Sequence, residues 1–152
     1  MKLDRIYWDS DCFLGWLKEE ADKEALCNSV LEEAESGSIL IVTSALTIAE
    51  VLNLKGQSPI QKYNKEKVVN LFRNQYIAIR GVTRHIAEVA RDYVWDNGVA
   101  PKDAIHVATA LDADLSLFNT FDEGLLKKSG TLGNRVKLII SKPQPAAQGK
   151  LF

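Results

Sequence analysis

RIYWDSDCFLGWLKEEADKEALCNSVLEEAESGSILIVT, residues 5–43, holds two apolar runs with a helical pattern between them. RIYW (5–8) is apolar and aromatic and stops at Asp9, and SILIVT (38–43) is a continuous β-branched run, so both read as buried strands. Between them, Ala21, Ala25, Leu26, Val30, Leu31 and Ala34 recur near helical spacing over residues 20–37, and Gly37 supplies the stop. The result is a β-α-β unit, whose parallel strands must be buried on both faces.

The same alternation continues along the chain. Ser44 can cap a helix running to about Leu54, Gly56 and Pro59 break it, and residues 64–74 resume a helical pattern. YIAIRGV (76–82) reads as a third strand, followed by a helix from about Thr83 to Asp96 that ends at Gly98. Pro101 introduces a helix over Lys102 to Ala113, LSLFNT (115–120) is a strand, Glu123 to Lys128 a short helix and VKLII (136–140) a last strand. The expected fold is therefore α/β, a three-layer α/β/α sandwich around a mainly parallel sheet of about five strands. Residues 1–141 make one domain, and 142–152, KPQPAAQGKLF, a loose tail whose Leu151 and Phe152 can dock elsewhere.

Composition sets the outer limits. At 152 residues, 46% apolar and 26% charged, the chain can bury a core of its own without disulfides or structural metal. No apolar run approaches the roughly 18 residues of a membrane span, and MKLDRIYWD has acids where a signal peptide needs an apolar segment, so a soluble, cytoplasmic protein without membrane contact is expected. Cys12 and Cys27 lack metal-ligand spacing and read as reduced packing residues. Net charge is −1, too little for a simple phosphate-coating binder, but it is segregated: residues 1–126 carry −7 and the remainder, which has bases and no acid, +6.

Four acids sit where a buried core would not want them. Asp9 ends a buried strand, Glu50 is the one charged residue of TSALTIAEVLNL (43–54), Asp103 opens the apolar helix DAIHVATAL, and Asp122 follows LSLFNT directly. An unpaired buried carboxylate costs several kcal/mol. Singly, Asp103 reads as a helix N-cap or first-turn acid, Asp122 as a helix cap, Asp9 as a turn residue, and Glu50 as a snorkelling or lysine-paired acid. Together, with no Cys or His among them, they suit a hard oxygen-seeking dication, magnesium or manganese, rather than zinc. His85 and His106 read as packing or capping residues, and Trp8, Trp16 and Trp95 as core.

These residues carry a family resemblance. IYWDSDCFL (6–14), SALTIAEVL (44–52) and PKDAIHVATALDADLSLFNTFDEGL (101–125) resemble, in order and spacing, the four motifs of PIN domains over about residues 5–140. The resemblance implies a metal-dependent ribonuclease that hydrolyses RNA phosphodiester bonds. Asp9, Glu50, Asp103 and Asp122 would be the catalytic metal ligands for Mg2+ or Mn2+, with Thr120 orienting the last carboxylate. Asp11 departs from the family's usual Asn, Ser or Thr and adds a fifth carboxylate that can join the metal or weaken phosphate binding. A short stand-alone chain of this kind is similar to the toxins of VapBC-type toxin–antitoxin modules, which implies a homodimer and a small antitoxin partner. Lys127 and Lys128, a turn and a half after Asp122, are placed to meet RNA phosphates beside the acidic pocket. Two other readings stand beside this one: a catalytically silent PIN-fold module that binds RNA or a protein, and a haloacid-dehalogenase-like phosphatase, echoed by DSDCF (9–13).

Overall fold

The computed structural model describes residues 4–52 and 65–144. The expected end of the second helix near Leu54, its Gly56 and Pro59 breaks, and the docking of Leu151 and Phe152 fall outside them. Five strands, β1 (Asp4–Trp8), β2 (Ile39–Ser44), β3 (Ile77–Arg80), β4 (Leu117–Asn119) and β5 (Ile139–Ser141), form one sheet in the order β3-β2-β1-β4-β5. Every neighbouring pair is parallel, as the β-α-β reading requires. The helices of the described residues are α1 (Ser10–Leu17), α2 (Ala21–Glu35), α3 (Ala45–Glu50), α4 (Lys65–Leu71), α5 (Arg84–Asn97), α6 (Pro101–Asp112) and α7 (Glu123–Leu126).

Strand period two sorts the apolar residues into two layers. Tyr7, Val42 and Phe118 point into a core made with α5, α6 and α7, where Ile86, Ala104, Val107 and Leu125 are buried. Trp8, Ile41 and Ile77 face the other way, against Phe13, Cys27, Val30 and Leu31 of α1 and α2 and Val68 and Leu71 of α4. Both cysteines are free and buried there, the Cys27 thiol donating to the Cys12 carbonyl at 3.3 Å.

Caps fix several of the element ends that the sequence suggests. Ser44 and Thr83 hydroxyls accept the Leu46 and Ile86 N–H groups, and Gly98, at φ 65°, ends α5 in the left-handed conformation that glycine adopts without strain. The helix expected over 20–37 is α2, and a separate helix, α1, precedes it, the two parting at Glu19, which takes a φ of 53°. One expectation fails. Trp95 is not core: 73% of it is exposed, with the Arg91 guanidinium 5.1 Å over its ring, whereas Trp8 is fully buried and Trp16 half-buried.

Strand order is what places a site. The chain moves outward from β1 through β2 to β3, then returns to lay β4 on the other side of β1. Loops leaving β1 and β4 therefore diverge, opening a crevice at their carboxyl ends, the usual ligand position in open parallel sheets. Asp9 leaves β1 there, and Thr120 and Asp122 leave β4.

Candidate active site

Asp9 is the N-cap of α1. Its Oδ1 accepts the Asp11 N–H at 3.1 Å and its Oδ2 the Thr120 hydroxyl at 2.5 Å, so the two strands flanking the crevice are tied through this carboxylate. Thr120 in turn accepts the Asp122 N–H at 3.0 Å. Its hydroxyl thus orients the first carboxylate of the set, and reaches the last only through the backbone, unlike the role expected for it. Asp122 caps α7, its Oδ2 accepting the Leu125 N–H at 2.9 Å.

Glu50 ends α3 and is 8% exposed. Its Oε1 accepts the Ser10 hydroxyl at 2.7 Å and lies 2.6 Å from His106 Nε2. His106 is buried, and its Nδ1 meets the Tyr7 hydroxyl at 2.6 Å. The expectation that His106 only packs or caps is therefore corrected: it lies on α6 three residues after Asp103, on one helix face, and joins the acidic group. That i, i+3 spacing was the available signal for it; nothing local marked Tyr7 or Ser10. His85 is exposed in the first turn of α5.

Electrostatics brings the acids together. Burial, then the Asp11 and Asp103 charges, hold the Asp9 carboxyl well above the usual range, against the Thr120 hydrogen bond that favours its anion. Asp11 is raised by burial and by Asp122, an effect partly offset by Lys23. Asp103 is pushed up to about 6 by burial and by Asp122, with Asp11 and Glu50 adding to it. Glu50 goes the other way: burial would raise it, but the hydrogen bond and charge of His106, the Ser10 hydroxyl and Lys102 bring it below the ordinary value. Five carboxylates thus feel one another, and most of them hold protons too tightly because positive charge is short.

That shortage is the fit test for a metal. All five side chains offer hard oxygen donors, suited to Mg2+ or Mn2+. Among the described residues no three His, Cys, Asp or Glu side chains are already arranged to hold an ion, and Asp9, Glu50 and Asp122 take protein donors instead. The donor set therefore fits in chemistry and charge, and its side chains must converge to bind. Of the lysines expected to meet phosphate, Lys127 is exposed, while the Lys128 ammonium donates to the Asn97 carbonyl at 2.8 Å.

The sequence pattern described as the PIN domain matches residues 6–130. No curated protein matches the chain. Among solved structures, a chain of a toxin–antitoxin complex from Klebsiella pneumoniae superposes with a TM-score of 0.63 at 18% identity, over 92% of this chain and 98% of that one. VapC20 of Mycobacterium tuberculosis, a sarcin-ricin loop cleaving toxin, superposes with a TM-score of 0.59 at 13% identity, over 78% and 90%. At such identities the likeness is one of fold.

Proposed function

Since the chain belongs to the PIN domain family, we propose that it is a metal-dependent endoribonuclease in which Asp9, Glu50, Asp103 and Asp122 hold Mg2+ or Mn2+, and that it serves as the toxin of a toxin–antitoxin pair. The observation that carries this reading is the set of mutually repelling carboxylates at the β1/β4 crevice, with Asp103 raised to about 6. The metal would supply an activated water and a sink for charge developing on the phosphate. The chain supplies the rest: Thr120 fixes Asp9, Ser10 and His106 fix Glu50, and α6 carries Asp103, whose carboxyl feels the charge of Asp122 at the start of α7. Asp11 adds charge beside them. Family membership removes the basis for the phosphatase reading of residues 9–13. The toxin assignment draws on the fold shared with a chain of a toxin–antitoxin complex and with the VapC20 toxin; a small antitoxin and a second copy of the chain are its proposed partners.

The test is incubation with single-stranded and hairpin RNA in Mg2+, Mn2+ or EDTA. Internal cuts that need the metal and vanish in Asp9→Asn are expected. Cleavage that survives EDTA or that substitution would refute the assignment, and intact RNA throughout, with RNA or protein still bound, would leave a silent binding module.

An acidic crevice repels RNA, so cations must hold the flanking phosphates. Lys127 and Lys128, in the segment free of acids, are the proposed partners of those phosphates. Changing both to Glu should weaken RNA binding and reduce its log–log salt slope by about 0.7 for each phosphate that is no longer neutralised. Equal slopes, measured in an Asp103→Asn background, would place the RNA path elsewhere.

Gly124 gives a finer control. A Cβ there would stand 3.1 Å from Asp122 Oδ2, closer than side chains ordinarily tolerate, so the carboxylate must shift by a few tenths of an ångström. Gly124→Ala should favour α7 by up to about 1 kcal/mol while lowering cleavage. Thermal melting alongside a cleavage assay separates the two effects; unchanged cleavage would mean that Asp122 has no exact position to keep.

A further inference from the structure

Glu50 is poorly held by its own helix. α3 spans only six residues, Ala45–Glu50, and the carboxylate lies at its last position. Its orientation comes instead from two other parts of the fold. Ser10, the first residue of α1, and His106, in the middle of α6, both bond to Oε1, at 2.7 and 2.6 Å. Among the described residues, the hydrogen bonds to this carboxylate all go to Oε1 and none to Oε2.

The ring that makes the shorter bond is itself fixed. Tyr7 stands in β1, stacked on Phe118 of β4 with ring centroids 4.9 Å apart, and its hydroxyl meets His106 Nδ1 at 2.6 Å. Tyr7 and His106 also meet edge-on, at 5.7 Å and 65°. An ionised carboxylate only accepts, so Nε2 must carry the hydrogen in the bond to Glu50 whether the imidazole is neutral or charged. In the neutral ring, Nδ1 then accepts from the Tyr7 phenol. With both ring nitrogens engaged, His106 has no lone pair left for a metal.

We propose that His106, locked by Tyr7, is a positioning residue that sets the plane of the Glu50 carboxylate and turns Oε2 toward the metal, so that the buried chain Tyr7–His106–Glu50 carries the order of the sheet to the site. The inference rests on the metal-dependent reading above and gives His106 no part in the chemical step. A flexible glutamate aimed in advance loses less freedom on binding, and hydrogen-bonding partners of ligands are typically worth about 10- to 100-fold in metal affinity.

The experiment is a calorimetric Mn2+ titration of wild type, His106→Leu, His106→Gln and Tyr7→Phe, each checked by thermal melting. His106→Leu should weaken Mn2+ binding by about 10- to 100-fold. His106→Gln, whose amide nitrogen stands close to where Nε2 was and still donates, should recover most of the loss. Tyr7→Phe, which keeps the stacked ring and removes only the hydroxyl, should show a smaller loss and folds whatever the fate of the leucine variant. RNA cleavage at saturating Mn2+ should return toward the wild-type rate in all three, placing the defect in metal binding rather than turnover. Affinity in His106→Leu equal to or tighter than wild type overturns the proposal, as does a glutamine variant no better than the leucine one. A wild type that binds no Mn2+ fails the metal-dependent reading itself, an outcome distinct from equal binding by wild type and variants.

Discussion

Asp103→Asn is expected to cut metal-dependent RNA cleavage by about a thousandfold while making the metal-free protein more stable at neutral pH. The activity loss would follow from the Lewis-acid and water-activating role proposed for a dication, worth several kcal/mol, at about 1.4 kcal/mol for each factor of ten. The stability gain follows from the raised carboxyl. Asp103 ordinarily titrates at 3.8 and here at about 6, so the folded state binds its proton more tightly than the unfolded chain does. That contribution is fully present below about pH 4 and is lost as pH rises through about 6. An asparagine has no proton to lose, so the melting temperatures of wild type and variant in EDTA should lie close together at pH 4 and separate in the variant's favour by pH 7. Allowing for solvent screening of a partly exposed group, the difference corresponds to about 1 to 2 kcal/mol. Melting curves across this window decide it; a variant that is less stable at pH 7 would make Asp103 a structural first-turn acid of α6 and nothing more.

The second large effect lies in the core. Trp8→Ala should cost about 3 to 5 kcal/mol, a large part of the stability of an ordinary domain. The side chain is fully buried, lies edge-on to Phe13 at 5.1 Å, and donates its indole N–H to Asn119 Oδ1 at 3.0 Å. Its loss opens a cavity between β1 and α1 and strands a buried amide oxygen from β4. Trp95→Ala, by contrast, removes a ring that is 73% exposed and should change stability by less than about 0.5 kcal/mol. Urea denaturation of the two variants measures both; a small loss at Trp8 would show that the β1 layer repacks.

Trp95 also shows where the sequence stops being informative. Tryptophan type suggests burial, but its place on α5 turns it away from the sheet, and only tertiary packing decides which helix face is covered. What was legible has local causes. Ser44, Thr83 and Gly98 act through caps within a turn of themselves, and the β-branched run at 38–43 demands burial on both faces. The acids of the candidate site were legible as charges in apolar settings. Of their partners, Tyr7 and Ser10 were not, because the bonds Tyr7–His106 and Ser10–Glu50 span 99 and 40 residues of chain, and only its spacing from Asp103 pointed to His106.

If Asp9, Glu50, Asp103 and Asp122 converge on a divalent metal at the β1/β4 crevice, anomalous diffraction from crystals grown with Mn2+ will show it most directly. The expected result is a manganese peak at ordinary ligand distances, about 2.0 to 2.3 Å, from oxygens of those carboxylates, absent in Asp9→Asn. A peak elsewhere on the protein, or none at the crevice at saturating Mn2+, would contradict it.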